Sequence, residues 1–557
     1  MPSQGAGVFV EATFDMKSSA ASEMERADTI TPAPLLLVFK YKSGIDIRMV
    51  LNYYHYCRIN ISYTKHPRLF SLGIWTHREN NMRIAKVRFI EPGVPQYQKS
   101  IRNLYTYNKY IRTPSVGLLT LSTLTKEVVD DTLMYSESIS TIQWDDVLAA
   151  DIVFIGIFTF AAVRGYEIAR YVKKNSKAIV VMGGLHASMN YPEAVNYCDY
   201  VLLGEGDETI ITFIEAIRNN APIDFPGVAY KKGLDLIFTG KQTPPENINT
   251  IPNRNLLYRY SKMAGYNTIW AQVHASRGCP HDCDYCAVVR HFGRKVRTRT
   301  IDNILEDVKQ AIAFQERGLF PRLNRILWFT DDNFFADRKW AIAVLRAIID
   351  SKIKYNFTVQ ARFEVGFDDE MLDLLKKAGF LELAMGIEFL EDEAFASNHK
   401  KSSYSEISRS VANIQKHGLN VRGLFIMGAD NHTKGVGGRL ANFVIEHDIH
   451  GVLIQSMYFV PGTPSYESHK DKLLHTDWSK YNGNVVHYPE NISPYDLQLE
   501  IIHASRKIYS RKRLFRTIFC EKAYIKVMFI GEYFWQKSVR ADLSKELPYL
   551  KSLNRKV

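Results

Sequence analysis

The chain has 557 residues, enough for two or three domains that each bury a core. A hydrophobic content of 46% with 12% aromatics excludes an intrinsically disordered chain, and no run of sequence approaches the ~20 apolar residues that span a bilayer. Six cysteines, three of them in one short loop, fit a reducing compartment better than an extracellular disulfide framework, so the expected location is cytoplasmic. The net charge of +12 is concentrated at one end: residues 501–557 carry fourteen Lys and Arg against four Asp and Glu.

Residues 1–81 show no sustained period of 2 or 3.6, and aromatic, His and Arg residues are scattered through Tyr53 to Asn81. The stretch is expected to be a poorly ordered extension, or an upstream segment translated in error. Pro34–Phe39 is too short and too far along for a signal peptide. At Met82 the text changes, and strand-like runs at 84–90, 128–135, 152–158, 178–183 and 200–203 alternate with helical periodicity such as Ala161–Lys174 and Glu208–Arg218. Five strands each followed by a helix predict an open, doubly wound parallel sheet over residues 82–220.

Ligands of such sheets bind beyond the carboxyl ends of the strands. Those ends carry Glu91-Pro92-Gly93, Thr159, Gly183-Gly184-Leu185-His186 and Gly204-Glu205-Gly206-Asp207. With Thr113-Pro114-Ser115-Val116-Gly117-Leu118 and Ala150-Asp151-Ile152-Val153, this order resembles the cobalamin-binding domain that precedes many radical S-adenosylmethionine (SAM) domains. The resemblance implies a flavodoxin-like lobe with Pro114, Thr159, Gly183, Gly184, His186, Gly204, Glu205 and Gly206 near cobalamin. The first loop, Glu91-Pro92-Gly93-Val94-Pro95-Gln96, lacks the D-x-H-x-x-G pattern that supplies a protein histidine to cobalt. His186, after the fourth strand, reads as a loop-fixing residue, so cobalamin is expected without a histidine lower ligand. A domain of this type that holds no cofactor is the plainer alternative.

Residues 221–262 read as a hairpin (Pro226–Gly233) and a polar linker. A second alternating run follows at 263–470, with strands near 270–275, 325–330, 355–361, 382–387, 421–427 and 452–459 and amphipathic helices such as Ile301–Gln315 and Trp340–Ser351. Six strands are too few for a complete eight-fold barrel. After the first comes Cys279-Pro280-His281-Asp282-Cys283-Asp284-Tyr285-Cys286, a C-x3-C-x2-C loop. Three thiolates around one point suit an iron–sulfur cluster or zinc; zinc would take its fourth ligand elsewhere, His274 or His281 being at hand, but lacks the usual second knuckle.

The loop resembles the signature of radical SAM enzymes, whose partial (β/α)6 barrel fits the six strands. In that family three cysteines hold a 4Fe-4S cluster whose open iron chelates SAM, and an electron from the cluster cleaves SAM to a 5′-deoxyadenosyl radical. The resemblance makes Cys279, Cys283 and Cys286 metal ligands and places Tyr285, Asp331, Asp332, Arg362 and Glu388 near SAM. Thr330-Asp331-Asp332 stands where the family has Gly-Gly-Glu, and for Arg362 an ordinary interstrand ion pair is an equal alternative. A C-terminal block from Asp477-Trp478 to Pro494-Tyr495-Asp496-Leu497 is similar to one in several cobalamin-dependent members.

The whole is thus expected to be α/β: a flavodoxin-like cobalamin-binding sheet, a partial TIM-type radical SAM barrel, and a basic, mainly helical region at 471–557. The implied activity is methyl transfer to an unactivated carbon, with reduced flavodoxin or ferredoxin as electron donor and a small, apolar or planar substrate. The runner-up is an anaerobic cyclase acting on a tetrapyrrole-like substrate. A tRNA methylthiotransferase is disfavoured because only Cys57 and Cys198 precede the loop, and a non-catalytic cobalamin or iron sensor is the non-enzymatic rival. Nucleic acid is not the expected partner, and the basic tail leaves contact with a membrane surface open.

Overall fold

The computed structural model describes residues 83–94, 114–259, 271–316, 326–391, 403–520 and 523–553, together with the backbone of four earlier strands. The chain divides into two compact units, Met1–Asn81 and Met82–Val557. In the first unit β1 (Leu35–Tyr41), β2 (Ile45–Asn52), β3 (Tyr56–Tyr63) and β4 (His66–Leu72) pair in chain order as an antiparallel meander. The sequence reading found no period here. The strands form instead on composition, since each stretch carries Val, Ile, Tyr or Phe, which favour extended backbone. The rest of residues 1–82 lies outside the described residues.

The second unit opens with β5 (Lys86–Glu91), β6 (Asp131–Ser136), β7 (Ile152–Gly156), β8 (Ile179–Gly183) and β9 (Tyr200–Leu202). They run parallel in the order β9-β8-β7-β5-β6. Counted within the sheet this is 2-1-3-4-5, the flavodoxin-like order. Ile152–Ile155 is apolar throughout because a parallel strand between two helical layers is buried on both faces. The predicted strand at 128–135 starts later, at Asp131, because Thr125 O accepts the amides of Val128 and Val129 and carries the helix end that far. The hairpin read as a connector also joins the sheet. It forms β10 (Val228–Lys232) and β11 (Asp235–Phe238), and β10 lies antiparallel on β9.

The third sheet begins with β12 (Ala271–Val273). A two-stranded ribbon of β13 (Ser276–Arg277) and β14 (Arg297–Thr298) flanks the cysteine loop. The sheet continues with β15 (Ile326–Phe329), β16 (Asn356–Ala361), β17 (Phe380–Glu388), β18 (Asn420–Met427) and β19 (Gly451–Ser456). All six strands are parallel and neighbours in chain order, with β12 and β19 at the two ends. This is the partial barrel expected. The helix predicted from Trp340 starts earlier, at Arg338, because the Asp337 carboxylate accepts the Trp340 amide and caps it.

Four helices, Pro494–Ile508, Arg511–Cys520, Ala523–Ser544 and Leu547–Leu553, make up the C-terminal region. The third of them closes the amino-terminal end of the barrel. There Met528 packs on Ile326, and Arg422 of β18 is held between Glu382 of β17 (2.8 Å) and Glu532 of the helix. Among the described residues no helix is long and apolar enough to cross a membrane.

Candidate active site

The cysteine loop leaves the ribbon at Gly278 and returns to it at Lys295. Gly278 has φ +92°, and a Cβ there would lie 2.5 Å from Lys295 O, so only glycine lets the loop close. Cys279 N donates to Gly293 O and Cys286 N to Cys283 O, which folds the loop back on itself. Each thiol is half-buried. Burial, then the neighbouring Cys283 and Cys279, pushes Cys286 up to about 11, and burial also raises Cys279. Thiolates that oppose one another's ionisation gain from a shared cationic centre, so the donor set fits an iron–sulfur cluster. Among the described residues no three His, Cys, Asp or Glu side chains converge on a point suited to one metal ion, and a four-iron cube spaces its ligands more widely than one ion does. His274, a candidate fourth zinc ligand, is lowered to about 3 by burial and by Arg277 and Arg299, and packs edge-on to Phe292.

The turn after β15 packs beneath this loop. Asp331 is fully buried and accepts from Ser276 Oγ (2.5 Å) and Ala275 N (3.2 Å). Burial lifts it to about 7. It therefore fixes the start of the ribbon, a role the sequence did not suggest. Asp332 accepts from Gly278 N at 3.4 Å and is raised by burial to about 6, while Asn333 Nδ2 reaches Cys279 Sγ at 4.0 Å. Arg362, at the end of β16, donates to Glu364 at 2.8 Å and also feels the charges of Cys283 and Glu388.

Glu388 ends β17 in a strained conformation. Its φ is +60°, the strand register breaks between Gly386 and Glu388, and Phe389 N bonds Ile387 O across it as a γ-turn. The turn folds the carboxylate back over Gly386, where a Cβ would lie 2.7 Å from Glu388 Oε1. Tyr285 stands edge-on to Phe389 at 6.3 Å, and its hydroxyl is raised by burial and then by Glu388. Tyr285, Arg362 and Glu388 thus gather around Cys283.

The flavodoxin-like sheet brings its strand-end loops to the same place. Phe158, Thr159 and Phe160 after β7 and Leu185 after β8 line a cavity of about 260 Å³ with Tyr285 and Ala287 of the cysteine loop and Gln455–Tyr458 of the barrel. Thr159 and His186 are buried together: His186 Nδ1 meets Thr159 Oγ1 and Nε2 meets Tyr166 Oη, both at 3.2 Å. Burial lowers His186 to about 4. With both nitrogens engaged, it fixes the loop.

The other glycines expected near cobalamin sit in tight backbone turns. At Gly184 (φ +84°) a Cβ would lie 3.0 Å from Ile157 N and O, and at Gly206 one would lie 3.0 Å from Leu121. Gly183 O accepts from Ile157 N, and Gly204 has φ +69° beside Gln242. Pro114 lies away from the cavity, beside Pro252 and Arg254.

Glu205 makes the clearest departure. Its buried carboxylate accepts from Arg277 Nη1 (2.7 Å) and Arg297 Nη2 (2.6 Å), and Asp207 accepts from Arg277 Nη1 at 2.8 Å. Two carboxylates of one sheet thus grip the arginines that carry both ends of the cysteine loop. The sequence reading missed Arg277 and Arg297, as well as Phe158, Phe160 and Tyr458. Arg277 lies two residues before Cys279, but the acids that pair with it lie 70 or more residues upstream.

Residues 273–437 match the radical SAM superfamily. The chain carries a radical SAM domain. Such a domain implies an iron–sulfur cluster and SAM, and it makes the protein an enzyme that needs an electron donor and a small-molecule substrate. The chain is 26% identical to bacteriochlorophyllide d C-12(1)-methyltransferase of Chlorobaculum tepidum, over 71% of this chain and 82% of that one. It is 23% identical to the anaerobic magnesium-protoporphyrin IX monomethyl ester cyclase of Rubrivivax gelatinosus, over 49% of this chain and 50% of the relative. Among solved structures, the radical SAM methyltransferase TsrM of Kitasatospora setae, with cobalamin and a [4Fe-4S] cluster bound, superposes with a TM-score of 0.60 at 14% identity. The match covers 82% of this chain and all of that one, and shows a shared fold. The radical SAM domain of this chain is therefore methyltransferase-like, set behind a lobe of the flavodoxin type.

Proposed function

We propose that the protein is a cobalamin-dependent radical SAM methyltransferase that methylates an unactivated carbon of a small, apolar or planar substrate. The observation that carries this reading is the shared cavity, walled by strand-end loops of the flavodoxin-like sheet on one side and by the cysteine loop and barrel on the other. When bound, the cluster with SAM supplies an organic radical and cobalamin carries a methyl group. Cys279, Cys283 and Cys286 would hold the cluster. Tyr285, Asp332, Arg362 and Glu388 would orient SAM beside it, Arg362 through a planar fork suited to a carboxylate and Glu388 as an acceptor for hydroxyls.

Thr159 and the backbone at Gly183 and Gly204 would border the cobalamin, and His186 would offer it no imidazole because both ring nitrogens are engaged. Phe158, Phe160 and Tyr458 would supply an apolar wall beside the reacting atoms. Methyl transfer is preferred to ring closure because the similarity to the methyltransferase spans 82% of that relative, and to the cyclase only half.

The test is reconstitution without air, followed by spectroscopy and product analysis. Broad cluster absorption, cobalamin bands and 5′-deoxyadenosine from SAM are expected with a reduced flavodoxin or ferredoxin. Cys283→Ala should lose cluster and product, whereas Cys198→Ala, in the other lobe, should keep both. Protein that takes up zinc in place of iron, or no cobalamin, would overturn the reading.

A further inference from the structure

Helix Arg511–Cys520 presents two faces that differ in kind. One row, Arg513 and Thr517, is buried at 8% and 3% exposure, with Arg513 donating to the carbonyls of Ile508 and Ile449. This row anchors the helix to the barrel. On the outward side an i, i+4 row runs Arg511, Phe515, Phe519, and beside it run Lys512 and Arg516. All five are exposed, Phe515 at 67% and Phe519 at 66%, and the two rings touch at 4.5 Å between centroids. Ile518, 37% exposed, widens the same crest.

Single exposed apolar residues are ordinary. A paired phenylalanine crest with a cation at its head and two more along one side is not. The helix has no acidic residue, and Asp448, on the barrel, meets Arg516 at 3.4 Å. Residues 501–557 carry fourteen basic against four acidic residues, so the surrounding field is positive as well. We propose that this face docks on the anionic surface of a lipid bilayer, with Phe515, Phe519 and Ile518 entering the headgroup–acyl boundary and Arg511, Lys512 and Arg516 meeting lipid phosphates.

Two other occupants fit less well. Two copies pressed face to face would bring Arg511, Lys512 and Arg516 against their own counterparts, a like-charge contact. Nucleic acid would use the cations and could stack on the two rings, but Ile518 offers no ring for a base to stack on.

The test is flotation of the full chain with vesicles of phosphatidylcholine alone or mixed with phosphatidylglycerol. Binding is expected to the mixed vesicles, weakening as salt rises. Arg511→Gln and Lys512→Gln should each lower it about fivefold. The double change Phe515→Ser, Phe519→Ser should lower it about tenfold or more, with an unchanged circular dichroism spectrum because both side chains point to solvent. Phe519→Trp provides a second readout, since its fluorescence should be quenched by brominated lipid in the mixed vesicles. Three results would each overturn the proposal: equal binding to both vesicle types with no effect of the substitutions, a Phe-dependent self-association, or a Phe-dependent affinity for oligonucleotide with no quenching by lipid.

Discussion

Glu388 holds a backbone conformation that costs a non-glycine residue of order 1–3 kcal/mol, and the glycine two residues before it gives up its side-chain space to the same carboxylate. Strain of that kind survives where the placement of the group matters. Glu388→Ala should therefore weaken SAM binding about tenfold or more, as expected for a lost charge-assisted hydrogen bond, while leaving iron content unchanged. Titration of reconstituted protein with SAM and an iron assay check both halves. A variant with normal SAM affinity would reassign Glu388 to the barrel wall.

His186 supports a prediction of opposite character. Burial depresses its folded pKa from 6.5 to about 4, so the folded state keeps it neutral while the unfolded chain takes up a proton near 6.5. Its contribution is present above pH 6.5 and is lost as pH falls through 4, worth up to about 3 kcal/mol. His487, buried against Gly428, is lowered to about 4 in the same way. Chemical denaturation across this pH window should show stability falling with acid, and His186→Gln should flatten part of that slope.

Secondary elements were legible where one periodicity ruled. The helix Ile301–Gln315 and the strand pairs of both parallel sheets follow runs whose apolar spacing has a single reading. The four strands before residue 82 were not legible, because charged and aromatic residues interrupt any alternation there. The Cys loop was legible since three cysteines lie within eight residues. The partners of that loop were not, because pairing across 55 or more residues leaves no local trace, so from sequence alone Asp331 and Glu205 read as ligand contacts.

The long C-terminal helix shows the same blindness. Its Glu532 and Met528 close the barrel by reaching Arg422 and Ile326, far away in sequence. Arg422→Met would leave Glu382 and Glu532 buried without their shared cation, a loss of about 3–5 kcal/mol. A fall in thermal stability of that size, measured on both apo and reconstituted protein, is expected. A change below about 1 kcal/mol would mean that the pair is solvated.

Across the second unit, two sheets meet at one cavity, and one contact between them is a buried ionic cluster. Glu205 and Asp207 against Arg277 and Arg297 form a neutral, buried set of four charges. Removing one member strands a charge, whereas the same pairs on the surface would contribute under about 1 kcal/mol. Glu205→Gln should accordingly cost about 3–5 kcal/mol of stability in the apo protein and raise amide exchange at residues 276–279, the root of the cysteine loop. If Glu205 served cobalamin instead, the variant would keep the stability of the apo protein and lose only cofactor affinity. Measuring apo stability and cobalamin binding on the same preparation separates the two. The first outcome would make this clasp the device that fixes the distance between the two cofactor lobes.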